Sequence, residues 1–129
     1  MEKSDKKTIL VVDDNQDAAY TTGMFLELQG YNVHTRYSGQ GALEAVKALH
    51  PDLVILDLAM PVMDGYQTAT QLRASYGATL PLIALSGYGQ QEDKRMSSQA
   101  GFNAHMVKPV DFMALIELLK SFLSNQPAN

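Results

Sequence analysis

The chain has 129 residues, a length that supports one domain around one core. A formal net charge of -4 with no basic block argues against a nucleic-acid surface, and the lack of cysteine excludes disulfides, thiolate metal sites and a cysteine nucleophile. No apolar run approaches the roughly 18 residues of a membrane span, and the polar start at residues 1–7 lacks the hydrophobic core of a signal peptide. The expectation is a cytoplasmic protein that binds neither membrane nor nucleic acid.

Residues 8–12 form a continuous β-branched and aliphatic run ending at Asp13-Asp14, the pattern of a strand buried on both faces. Asn15 can cap a helix in which Ala18, Thr22, Phe25 and Leu26 recur at helical spacing, and Gly30 stops it. Residues 31–36 alternate through Tyr31, Val33 and Thr35, which predicts a strand nearer an edge. Residues 38–50 predict a second helix with Ala42, Leu43, Ala45, Val46 and Leu49 on its buried side, closed by His50-Pro51. A third strand over 53–56 leads into Asp57 and a Pro-containing loop. A third helix then runs from Asp64 or Gly65 to Ser75, with Asp64 as N-cap and Gly77 as breaker. Residues 81–85 predict a fourth strand ending at Ser86-Gly87. The helix expected over 90–100 is polar, with Met96 and Ala100 as its few apolar anchors and Gly101 as its cap. Residues 102–107 predict a fifth strand ending at Lys108-Pro109. Asp111 then caps an amphipathic helix that turns Leu115, Ile116, Leu118, Leu119 and Phe122 inward. Alternating strands and helices of this kind define an α/β class: a doubly wound five-stranded parallel sheet with right-handed crossovers. The folded domain is expected over residues 8–124, between a frayed 1–7 and a tail at 125–129.

The polar residues collect where strands end: Asp13 and Asp14 after the first, Asp57 after the third, Ser86 after the fourth and Lys108 after the fifth. In a parallel sheet all these ends lie on one edge, and the crevice where strand order reverses is the expected site. Three carboxylates together repel. At about 4 Å and an effective dielectric near 20, each like-charge pair costs roughly 4 kcal/mol. Protonation of one acid or binding of a cation relieves this. An all-oxygen donor set suits Mg2+, and no His or Cys lies at these strand ends to favour Zn2+. Lys108 opposite the acids, with the Ser86 hydroxyl, suits a receptor for a tetrahedral dianion. Asp57 is then left as a nucleophile that can form an acyl phosphate.

Together, Val11-Val12-Asp13-Asp14-Asn15, the loop from Asp57 to Gly65, Ala84-Leu85-Ser86-Gly87 and Lys108-Pro109 resemble the receiver domain of two-component response regulators. The resemblance spans about residues 8–123. It implies a flavodoxin-like strand order 2-1-3-4-5 and phosphoryl transfer to Asp57 from a histidine kinase or histidine phosphotransfer protein. It implies that Asp13, Asp14, Asp57 and the Ala59 backbone carbonyl hold Mg2+ (or Mn2+), and that Ser86 and Lys108 bind phosphoryl oxygens. It further implies a cis Lys108-Pro109 bond. Output would pass to a protein partner through the helix over 90–100, the fifth strand and the last helix, from a monomer or a weak phosphorylation-dependent dimer. Residues 84–90 and 101–105 resemble receivers at the end of hybrid histidine kinases, and a free-standing regulator is equally allowed.

One departure from the family pattern and two further positions bear on mechanism. His105 stands where the family usually carries Tyr or Phe, so it is either a strand histidine without a role or a pH-sensitive switch. Ala59 and Tyr88 occupy the positions that place or exclude attacking water, which predicts slow self-dephosphorylation. Taken singly, Asp13-Asp14 could cap a helix, and Asp57 or Ser86 could be a turn residue. Two other functions stay open. A small Mg2+-dependent phosphatase is disfavoured by the place of the nucleophile on the third strand. A receiver-like module that never meets phosphate is disfavoured by the intact acid set.

Overall fold

The computed structural model describes residues 6–87 and 91–123. The chain order is β1 (Thr8–Val12), α1 (Gln16–Leu28), β2 (Asn32–Arg36), α2 (Gly39–Leu49), β3 (Leu53–Asp57), α3 (Gly65–Tyr76), β4 (Leu82–Ser86), α4 (Gln91–Ala100), β5 (Ala104–Val107) and α5 (Phe112–Leu123). All strand pairs are parallel, and the sheet order is β2-β1-β3-β4-β5. This is the flavodoxin-like arrangement that the family resemblance implies.

Alternation along each strand feeds two cores. Leu10, Val12, Val54, Leu56, Leu82 and Ala84 meet Ala42, Ala45 and Val46 of α2 and Ala69 and Leu72 of α3. Ile9, Val11, Leu53, Ile55, Ile83 and Leu85 meet Ala19 and Leu26 of α1 and Leu115, Ile116 and Leu119 of α5. β3 and β4 are buried along their whole length and β1 beyond Thr8, so their sequences read as unbroken apolar runs. The edge strands β2 and β5 are only half-covered. The rings of Phe25 and Phe112 stack at 4.5 Å and tie α1 to α5.

The helices start where side chains satisfy their free amides. Asn15 accepts from the Ala18 amide and Ser38 from the Gly41 amide, each at 3.0 Å. Asp64 and Gln67 form a reciprocal capping box at 2.9 and 3.0 Å, and Asp111 accepts from the Ala114 amide at 3.1 Å. Asp64 is thus the structural N-cap the sequence predicts.

Several boundaries and one contact differ from expectation. β2 begins at Asn32 rather than Tyr31, and β4 runs from Leu82 through Ser86. β5 begins at Ala104, because Phe102 turns into the core and the Asn103 side chain takes the Leu82 amide at 2.8 Å. Met96 does not anchor α4. It is 39% exposed, and among the described side chains of that helix only Ala100 is partly buried. The expected start of α4 at Gln90 and the tail at 125–129 lie outside the described residues.

Candidate functional site

Strand register brings the predicted residues together. Val12 pairs with Leu56, so Asp13 comes to lie beside Asp57. Ser86 pairs with Val107, and the Lys108 amide donates to the Ser86 carbonyl at 2.7 Å. Asp57, the last residue of β3, is 3% exposed; Asp13 and Ser86 are 2% and 4% exposed. Asp14 is exposed and Lys108 half-buried. These five residues line one open cleft with Asn15, Ala59, Met60, Pro61, Asp64 and Tyr66. The Lys108 Nζ donates to Asp13 Oδ2 at 3.0 Å and lies 3.4 Å from Asp57 Oδ1. The Asn15 amide donates to Asp13 Oδ1 at 3.0 Å, and the Ala59 amide to Asp57 Oδ1 at 3.3 Å.

Burial is the first cause that pushes the Asp57 carboxyl up, to about 6, and the negative charge of Asp13 is the second. The Lys108 charge and the Ala59 amide oppose this without cancelling it. For Lys108, burial pulls the ammonium down. Its hydrogen bond to Asp13 and the charges of Asp57 and Asp13 outweigh that pull and hold it above the ordinary lysine value. The site therefore pairs a cation that keeps its proton with a carboxylate that is costly to ionise.

Asp13, Asp14 and Asp57 each offer a carboxylate oxygen, and all three oxygens lie within 4.8 Å of one another. Three hard oxygen donors at this spacing, one of them resisting ionisation, fit a divalent ion such as Mg2+ or Mn2+.

The loop that follows Asp57 is held by close backbone packing. A Cβ at Gly65 would lie 2.5 Å from the Asp57 carbonyl oxygen and 2.7 Å from the Leu58 Cα, and the Gly65 amide donates to the Leu58 carbonyl at 3.0 Å. Only glycine lets α3 abut the main chain of Asp57 and Leu58 this closely. Earlier in the loop, Val62 is fully exposed at φ 69, with the Met63 amide donating to the Pro61 carbonyl at 2.7 Å. That is a γ-turn built on a β-branched residue, a strained combination.

His105 lies on β5 opposite Ala84, with both ring nitrogens shielded from solvent. Ala59 is exposed at the cleft, while Tyr88 lies outside the described residues. The Lys108-Pro109 bond is cis. The sequence offered no sign of Val62's backbone or of Gly65's contact. The Asp-Gly pair signalled only a cap and a turn.

Fold and cleft together define an α/β domain of flavodoxin type with an acidic site at the carboxyl edge of its sheet. The family profile of the response regulator receiver domain matches residues 9–120, and the chain belongs to that family of two-component signalling proteins. It is similar to a 14.6 kDa protein of Leptolyngbya boryana, 37% identical over 115 residues that cover 88% of each chain. It is also similar to the transcriptional regulatory protein PrrA of Mycobacterium leprae, 33% identical over 93% of this chain and 51% of that protein. The chain thus spans about half the length of that regulator. Among solved structures, a CheY-like receiver domain protein from Methanospirillum hungatei JF-1 matches with a TM-score of 0.86 and 28% identity, covering 92% of this chain and 94% of that one. The receiver domain of a signal transduction histidine kinase from Syntrophus aciditrophicus matches with a TM-score of 0.86 and 29% identity, covering 95% and 94%.

Proposed function

We propose that Asp57 accepts a phosphoryl group from a phosphohistidine on a histidine kinase or a histidine phosphotransfer protein. The observation that carries this reading is a buried carboxylate at a strand end, 3.4 Å from a lysine ammonium and open to a cleft. An Asp57 carboxylate oxygen forms the new bond to phosphorus as the donor's P–N bond breaks. The imidazole leaves with the electron pair and takes a proton from solvent. Lys108 neutralises charge on the transferred group, and the Ser86 hydroxyl donates to one of its oxygens. Asp13, Asp14, Asp57 and the Ala59 carbonyl are the ligands for Mg2+ (or Mn2+). When bound, that ion supplies charge neutralisation between the carboxylates and the incoming phosphoryl group.

The aspartyl phosphate places a dianion beside Ser86 and biases a two-state surface formed by α4, β5 and α5 toward a downstream protein partner. Ser86, drawn in by that dianion, and His105, on β5 within that surface, act as its switch residues. The folded unit is residues 8–124, working as a phosphoacceptor rather than a turnover enzyme, as a monomer or a weak phosphorylation-dependent dimer. It operates in the cytoplasm, free-standing or as part of a longer regulator or hybrid kinase. No described helix is long and apolar enough to cross a membrane. Ala59 carries no side chain able to orient water, and Tyr88, two residues past Ser86 in the sequence, has a ring large enough to shield the phosphoryl group, so self-dephosphorylation is slow. Loss of the label within seconds, with no phosphatase present, contradicts that last point.

The test is intact mass after Mg2+ and acetyl phosphate or phosphoramidate. One phosphoryl adduct, dependent on Mg2+, labile to hydroxylamine and absent in Asp57→Asn, is expected. An adduct that survives in Asp57→Asn refutes the assignment of the acceptor.

A further inference from the structure

Arg73, on α3 and outside the lining of the acidic cleft, donates four hydrogen bonds. Its Nε donates to the Gly101 carbonyl at 2.9 Å, and its Nη1 to the carbonyls of Gly77 at 3.0 Å and Leu80 at 2.6 Å. Its Nη2 donates to Asn103 Oδ1 at 2.8 Å. All four bonds go to neutral amide or peptide oxygens. Gly77 and Gly101 are the residues just past the ends of α3 and α4, so one guanidinium serves the negative ends of two helices. Burial lowers the Arg73 pKa, because it takes the guanidinium out of water. The stem of the side chain lies flat on Gly101, where a Cβ would stand 2.6 Å from Arg73 Cγ.

The contacts described for α4 gather at one end. At its C-terminal end, Phe102 is buried in the core, Asn103 takes the Leu82 amide, and Arg73 locks both Gly101 and Asn103 to α3. Along the helix, the described side chains of Arg95, Met96, Ser98 and Gln99 are all exposed. We infer that Arg73 is the fixed pivot of α4: it clamps the 101–103 segment, so that a change at the phosphoacceptor site swings the helix about its C-terminal end instead of displacing it bodily. This rests on the phosphoacceptor reading above, because the phosphoryl group supplies the bias.

The test is amide hydrogen exchange by mass spectrometry on the full chain, before and after Mg2+ and acetyl phosphate, with intact mass recorded on the same samples. In the wild type, phosphorylation is expected to change exchange by at least about threefold in the first turns of α4, and to leave residues 100–103 unchanged. Arg73→Lys, which keeps the charge and loses the fork, is expected to exchange about tenfold faster at 100–103 and to extend the phosphorylation-dependent change through them. A wild-type change that is uniform from 91 to 103, or an Arg73→Lys pattern identical to wild type, overturns the pivot while leaving the site reading intact. If the wild type takes no phosphoryl adduct, the site reading fails first and the pivot falls with it. Should Arg73→Lys not fold, Asn103→Ser removes one acceptor of the clamp, with the same outcomes expected and the same pattern overturning it.

Discussion

Replacing Asp57 with asparagine should make the protein more stable, although it destroys the proposed acceptor. The folded state raises this carboxyl from 3.8 to about 6, chiefly by burial and by the Asp13 charge. A rise of that size corresponds to about 3 kcal/mol of penalty on the ionised form. Because the folded carboxyl holds its proton more tightly than the unfolded one, the penalty is absent below about pH 4, grows through the window from about 4 to about 6 and is complete above it. Wild-type stability therefore falls as pH rises through that window, as far as this group is concerned. Asparagine has the same shape and no charge, and the bond from Lys108 to Asp13 remains available. Asp57→Asn is thus expected to gain about 2–3 kcal/mol at about pH 7.5, and to converge on the wild type near pH 4. Urea denaturation followed by circular dichroism measures this directly, since the chain has no tryptophan. A variant that is no more stable at neutral pH, or whose advantage persists undiminished toward pH 4, refutes the reasoning.

The same electrostatics predict three further outcomes, and the loop backbone a fourth. Mg2+ should raise the wild-type denaturation midpoint at about pH 7.5 much more than at about pH 5, where protons compete for Asp57, and the gain should vanish in Asp13→Asn. Equal stabilisation at both pH values contradicts a carboxylate site. Lys108→Met should raise the Asp57 pKa above about 6, visible in a carbon NMR titration of the carboxyl, because the opposing positive charge is lost. The same variant should accept a phosphoryl group from acetyl phosphate at least about tenfold more slowly, and an unchanged rate argues against a role for the ammonium. Val62→Gly should relieve a left-handed strain of about 1–2 kcal/mol against about 0.5–1 kcal/mol of added chain entropy, a net gain of about 1 kcal/mol in thermal or urea melts. Destabilisation by this change, at a side chain that is fully exposed, shows that the turn is not strained.

Much of this architecture was legible because local pattern and tertiary demand agree. The unbroken apolar runs of β1, β3 and β4 follow from burial on both faces, and the residues after them converge because parallel register leaves no other edge for them. Asn15, Asp64 and Asp111 cap their helices through bonds spanning three residues, which sequence spacing reveals. The features that escaped depend on distant partners. Arg73 reads as one more polar residue on an amphipathic helix until folding brings Gly101 and Asn103 to it from about thirty residues away. Gly65 reads as a turn glycine, yet its φ is ordinary, and what it avoids is the main chain of Asp57 and Leu58. Met96 looked like an anchor only because apolar residues are scarce in α4, and scarcity does not fix a face.

The most direct test of the account is to locate the acyl phosphate chemically. After Mg2+ and acetyl phosphate, borohydride reduction converts an aspartyl phosphate to homoserine, and a peptide map reads the position. Conversion confined to residue 57 is predicted. Conversion at Asp13 or Asp14, or none in a sample that carries the phosphoryl mass, contradicts it.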